Sequence, residues 1–224
     1  MWLINSSVGR KLVMSISGLF LVLFVTFHMA MNLVAVISED GYNAVCEFLG
    51  ANWYALAATA VLAAGFVVHI VYAFILTAQN RRARGNESYA VTERPKSVEW
   101  ASQNMLVLGL IVIVFLVLHF YQFWAKMQLP EMLGGYPEEG IELIKQTFSN
   151  PLMVVLYLIW FGALWFHLTH GFWSSLQTLG WNNNIWFNRW KTIGNVWATI
   201  VLLGFAFVAI AFYLKYGLCG ASCY

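Results

Sequence analysis

Residues 148–188 read FSNPLMVVLYLIWFGALWFHLTHGFWSSLQTLGWNNNIWFN, a stretch without a single Asp, Glu, Lys or Arg. A helix needs about 20 apolar residues to cross the hydrocarbon of a bilayer, so this stretch can cross and still leave polar ends. Pro151 stands near its start, at the first turn, where a missing N–H costs a helix nothing. Deep inside it lie His167 and His170, at a depth water does not reach.

The rest of the chain repeats the pattern. Residues 12–38, 48–80, 100–125 and 192–214 are likewise free of charge. The whole sequence is 61% hydrophobic and 10% charged, against about 25% charged in a soluble domain. These runs predict an all-α integral membrane protein, one domain over 1–224, with transmembrane helices near 12–36, 53–78, 101–125, 151–176 and 193–216. The first is too long for a signal-peptide core and lacks an A-x-A-like cleavage site, so it is expected to be kept. Pro95, Pro130, Pro137 and Pro151 fall in loops or at a first turn, which predicts continuous helices. Trp2, Trp53, Trp100, Trp124, Trp181, Trp186 and Trp190 lie near span ends, as interface anchors do.

Basic residues are retained on the cytoplasmic side. With the N-terminus inside, Arg10, Lys11, Arg81, Arg82, Arg84, Arg94, Lys96, Arg189 and Lys191 are cytoplasmic, and only Lys126, Lys145 and Lys215 are outside. Glu39, Asp40, Glu47, Glu131, Glu138, Glu139 and Glu142 then fall outside. The segment 81–99 is a basic inner loop, and 126–150 an acidic outer loop with GIELIKQTF as a short surface helix. The first outer loop, SEDGYNAVCEFLGAN, holds a short amphipathic turn. Cys46, Cys219 and Cys223 share the outer side, where Cys219 and Cys223 either pair or remain free thiols. A net charge of +2 carries no signal for nucleic acid.

All five histidines, His28, His69, His119, His167 and His170, fall inside predicted spans. A single membrane histidine is often a neutral imidazole bonded to a backbone carbonyl, but ionisable groups at this depth are costly and usually functional. One on each of the first four helices is a pattern that this reading explains poorly. His28 and His119 lie in the outer half of helices running outward, and His69 and His167 in the inner half of helices running inward. The histidines therefore form two levels, roughly 11–14 Å apart in height at 1.5 Å per residue. Two imidazoles at one level, on different helices, can grip a flat macrocycle from both faces, so two levels imply two bis-histidine haems.

Gly65 and Gly171 lie one turn from His69 and His167 on the same faces, leaving room for a porphyrin, although glycine is also common at membrane helix contacts. Gly18 and Gly109 precede His28 and His119 by ten residues, close to the inner level. No C-x-x-C-H occurs, so the haems are read as b-type. Zinc is disfavoured, because histidines split between two levels cannot surround one tetrahedral ion. His167 and His170 point about 300° apart around their helix, and depth alone does not choose between them.

The stretches SSVGRKLVMSISGLFLVLFVTFHMAMNL, VVHIVYAFIL, VLHFYQFW and LYLIWFGALWFHLTHGFW together resemble the dihaem cytochrome b subunit of succinate:quinone oxidoreductases, of the single-chain five-helix type. The family's fourth-helix pattern H-x-x-x-G falls on His167 and Gly171, which nominates His167 as ligand and leaves His170 as its neighbour or alternative. The resemblance implies His28 with His119 on a distal haem b and His69 with His167 on a proximal one. It implies a bacterial cytoplasmic-membrane anchor, the quinone-reactive subunit of a succinate dehydrogenase or fumarate reductase, with menaquinone or another quinone as substrate. Iron-sulfur and flavoprotein subunits would dock on the cytoplasmic face, over 81–96 and 181–191, with a dimer of such heterotrimers as the larger assembly. This chain carries neither a dinucleotide fingerprint nor a cysteine cluster, so its partners must hold those cofactors.

The sequence departs from some relatives at Trp165, where they have a glutamate two residues before the fourth-helix ligand; no proton path is therefore expected through that helix. Glu47 is the best positional match for the acid that takes the quinol proton, with Glu39 and Asp40 as rivals. Two other readings compete: the cytochrome b anchor of a hydrogenase or formate dehydrogenase, and a proton-coupled transporter using the histidines as a relay. The first is disfavoured by the spread of histidines over four helices. The second is disfavoured by the absence of intramembrane acids and interrupted helices.

Overall fold

Every regular element among the described residues, 6–50, 52–84 and 99–218 of a computed structural model, is helical. Helix α1 (Ser7–Ile37) begins where the Ser6 hydroxyl accepts a hydrogen bond from the Gly9 N–H at 2.9 Å, satisfying one of the donors a helix start leaves unpaired. It is followed by α2 (Glu39–Gly50), α3 (Trp53–Arg84), α4 (Trp100–Gln103) and α5 (Met105–His119), the last continued by a π-helical turn, Phe120–Trp124. Two short helices, α6 (Gln128–Met132) and α7 (Gly140–Phe148), precede α8 (Pro151–Thr178) and α9 (Trp186–Phe212), and α9 ends in a second π turn, Tyr213–Gly217. Asn150 caps α8 by accepting from the Leu152 N–H at 2.9 Å, with Pro151 in the first turn.

Five helices are long and apolar enough to cross a membrane: Ser7–Ile37, Trp53–Ala83, Met105–Trp124, Pro151–Thr178 and Trp186–Gly217. Their bounds correct the sequence reading in four places, the first being α1, which starts at Ser7 rather than 12. Helix α3 runs to Arg84 rather than 78, and α9 starts at Trp186 rather than 193. In both, the helix carries on through basic residues, because its backbone stays internally bonded whatever its side chains reach for. The third span is not continuous from 101. Asn104 interrupts it, its side chain donating to the Trp100 carbonyl at 2.8 Å in competition with the helix.

Helices α8 and α9 lie along one another, α1 packs on both, α3 packs on α1, and α5 packs on α8. The diagonals α1/α5 and α3/α8 make no comparable contact. The core therefore belongs to one side of the bundle, with Ala198, Val201, Leu202, Val208, Ala209 and Phe212 of α9 buried against α8 and α1. Close approach there depends on glycine: a Cβ at Gly194 would stand 2.7 Å from Phe172, and one at Gly204 2.7 Å from Met29.

The acidic end of the bundle is capped. The segment expected to form the first outer loop is a full helix, α2, rather than a turn. Helix α7 is the expected short helix at the surface, with Glu142 and Gln146 exposed, and its other face is buried through Ile141, Leu143, Ile144 and Phe148, Leu143 and Ile144 to 1% exposure. The Asn43 amide of α2 donates to Glu139 Oε2 at 2.9 Å, and its Oδ1 accepts from the Ile141 N–H at 3.1 Å. Glu39 accepts from Lys145 at 3.0 Å, from Lys215 at 2.6 Å and from the Tyr216 hydroxyl, tying α2, α7 and the end of α9 together. At the opposite, basic end Lys191 pairs with Glu99 at 2.7 Å, and the Trp190 indole donates to the Trp181 carbonyl at 2.7 Å. Cys219, Cys223 and most of the basic loop, 85–98, lie outside the described residues.

Candidate functional site

Four of the five membrane histidines meet as two pairs. His28 of α1 faces His119 of α5 with ring centroids 5.8 Å apart and planes at 84°. His69 of α3 faces His167 of α8 at 6.3 Å and 71°. Each pair spans one of the two diagonals on which the helices themselves stay apart. Glycines on the neighbouring helices fix the relative height of the pairs. A Cβ at Gly18 of α1 would lie 3.3 Å from His69 Cε1, and one at Gly109 of α5 would lie 3.8 Å from His167 Cε1. Gly18 and Gly109 stand ten residues before His28 and His119 respectively, which separates the two levels by roughly 15 Å of helix.

The α3 and α5 member of each pair has a hydroxyl partner at Nδ1. His69 Nδ1 lies 3.3 Å from the Ser17 hydroxyl of α1, and that hydroxyl donates to the Met14 carbonyl at 3.0 Å. His119 Nδ1 lies 3.4 Å from the Tyr157 hydroxyl of α8, which donates to Gln122 Oε1 at 2.6 Å. The Gln122 amide nitrogen in turn faces Met153 Sδ at 3.4 Å. The opposite members differ. The Asn32 amide is 3.5 Å from both ring nitrogens of His28 and donates to the His28 carbonyl at 2.8 Å. His167 Nδ1 is buried without a hydrogen-bond partner.

A metal-bound imidazole nitrogen lies about 2 Å from its ion, and a ring centre about 1 Å further, so two imidazoles on opposite sides of one ion have centroids about 6 Å apart. Both pairs sit close to that value. Buried polar atoms without a partner also collect here: His167 Nδ1 and His170 Nδ1 near one level, and Trp160 Nε1 beside the His119 ring at the other. Native structures leave few such groups unpaired. No group of three or more His, Cys, Asp or Glu gathers as for a bare ion among the described residues. Two axial imidazoles per level suit an iron whose other ligands arrive with it, as in a haem.

The remaining sequence candidates fall elsewhere. His170 packs edge-on against Trp173 at 4.9 Å, one turn nearer the basic end, and the ring that faces His69 is that of His167. A Cβ at Gly65 would stand 2.7 Å from the Phe20 ring, so this glycine serves the α1/α3 contact, whereas a Cβ at Gly171 would meet nothing within 4 Å. Glu47 is exposed on α2, as is Asp40. For Glu39, burial opposes ionisation, but the bonds from Lys215, Tyr216 and Lys145 outweigh it and hold the carboxyl down at about 2. Trp165 donates to the Thr199 hydroxyl at 2.9 Å in the α8/α9 seam.

Ser17, Tyr157, Gln122 and Asn32 are absent from the sequence reading. One signal could have found Tyr157: it precedes His167 by ten residues, the same offset that brings Gly18 and Gly109 to the other level. No family model, curated protein or solved structure matches the chain.

Proposed function

We propose that this chain is the membrane anchor and electron-transfer subunit of a succinate:quinone oxidoreductase, passing electrons between a quinone and an iron-sulfur partner. The observation that carries the reading is the meeting of imidazoles from four helices in two diagonal pairs, at 5.8 and 6.3 Å. His28 and His119 would hold one haem b, and His69 and His167 the other. Bound between such imidazoles, a haem b supplies one-electron exchange that no protein side chain provides. The chain's own residues supply position and dryness. Phe24, Phe205 and Trp160 surround the His28/His119 rings, and the buried face of α7 closes the acidic end of the bundle.

The family reading follows the sequence resemblance, which also supports a bacterial cytoplasmic membrane with the N-terminus inside. On that topology the iron-sulfur and flavoprotein subunits dock at the basic end, near Arg10, Lys11, Arg81, Arg82, Arg189 and Lys191. Quinol is oxidised near the acidic end, with Glu47 as the proton acceptor. None of the five spans contains Asp or Glu, so protons released there stay outside and menaquinol:fumarate turnover is electrogenic. The test is the purified complex: b-type reduced-minus-oxidised bands, with electron transfer between a quinol analogue and fumarate, are expected. A preparation without haem absorbance overturns the electron-transfer reading, and haem without dicarboxylate turnover overturns the family.

A further inference from the structure

The two histidine pairs share a hydrogen-bonding device at Nδ1 of the α3 and α5 rings. A hydroxyl has one proton to give. Tyr157 spends it on Gln122 Oε1 at 2.6 Å, and a carbonyl oxygen cannot give one back. Toward His119, 3.4 Å away, the phenol oxygen is therefore an acceptor, and His119 Nδ1 carries the hydrogen. Ser17 repeats the logic, since its proton goes to the Met14 carbonyl at 3.0 Å and its oxygen accepts from His69 Nδ1 at 3.3 Å. In both rings the remaining nitrogen, Nε2, keeps the lone pair that a metal needs. The partners across the rings lack this arrangement, because Asn32 is equidistant from both nitrogens of His28 and His167 Nδ1 has no partner.

We propose that Tyr157, relayed to Gln122, and Ser17, relayed to the Met14 carbonyl, are positioning residues that fix the tautomers of His119 and His69 and set the two haem potentials independently. The inference rests on the haem reading above and adds residues that touch no haem iron themselves. An imidazole whose Nδ1–H finds an acceptor becomes a more basic ligand. A more basic ligand favours the oxidised iron and lowers the potential. The two relays also differ in kind. Ser17 bonds its own helix, whereas Tyr157 bonds a side chain in the π turn that directly follows His119. A substitution can therefore strengthen the second relay as well as cut it.

The test is potentiometric titration of both haems in the intact complex, with haem content measured alongside. Tyr157→Phe should keep two haems and raise one potential, a tenfold shift in that centre's reduction equilibrium being about 59 mV for one electron. Ser17→Ala should raise the other, and Ser17→Thr, which keeps the hydroxyl, should restore it. Gln122→Glu offers Tyr157 a stronger acceptor and should lower the potential that Tyr157→Phe raises. This opposite sign is one that mere loosening of the fold does not produce, and in the Tyr157→Phe background, where no relay exists, Gln122→Glu should lose that lowering; an equal lowering in both backgrounds marks the bare charge of the carboxylate and overturns the relay. Wild-type protein without haem defeats the reading beneath the inference. Two haems whose potentials ignore these variants, or move together in all of them, defeat the inference alone.

Discussion

Helices α8 and α9 differ sharply from α3 and α5, although all four are long and apolar. Eight residues of α8 and seven of α9 are buried, against Ala55 alone of the described side chains in α3 and Leu108 alone in α5. The first two are held by one another: small residues let backbones approach, and indoles reach hydroxyls across the seam, as Trp165 does to Thr199. The flanking helices lean on single neighbours and turn most of their surface outward. Yet each sends one histidine to the centre of the bundle, to meet its counterpart across a diagonal. Packing builds one half of this molecule, and the other half is organised around its imidazoles.

This contrast is broken most severely at the histidines. Alanine at His28, His69, His119 or His167 is expected to cut haem content from two to one per chain, and His170→Ala to leave two; pyridine haemochrome assays of the five variants check this. Stripping haem should next loosen the flanks selectively. Amide exchange is expected to rise along α3 and α5 while α8 and α9 stay protected, and uniform change across all four would erase the distinction. Gly18→Val should be nearly as damaging locally, because even a Cβ there stands 3.3 Å from His69. It is expected to disturb the spectrum of one haem and spare the other.

Effects on the packed half should be smaller and spectrally silent. Gly194→Val drives a side chain into Phe172 and should cost about 1–3 kcal/mol, the usual range for overpacking. Thermal unfolding in detergent reads that loss, with both haem spectra unchanged. Smallest is Glu39→Gln at the acidic cap, about 1 kcal/mol for a partly exposed carboxylate among ion pairs. The sign follows from its depressed pKa, from 4.5 to about 2: the stabilisation is present above pH 4.5 and fades as pH falls toward 2. Unfolding curves of wild type and variant should therefore converge in acid.

The five spans were legible because the bilayer leaves so little choice: each needs a long run without charge, and 148–188 is such a run. Where α9 begins was not, since Arg189 and Lys191 look like loop although the backbone there keeps its helical bonds. The spacing of Ile141, Ile144 and Phe148 shows that α7 has an apolar face, but not that α2 and the end of α9 cover it. Counting along each helix placed His28 with His119, and His69 with His167 or its neighbour His170, at common heights, because helical rise converts sequence into depth; only the resemblance chose His167. Counting gave no account of Ser17, Tyr157 and Gln122, whose roles depend on which neighbour each hydroxyl faces around the helix, a quantity that height does not contain.

Haem quantification in the purified wild-type protein tests the central claim most directly. Two haem b per polypeptide, both low-spin and six-coordinate, is the predicted result. Fewer than two, or a high-spin iron lacking its second imidazole, would contradict it.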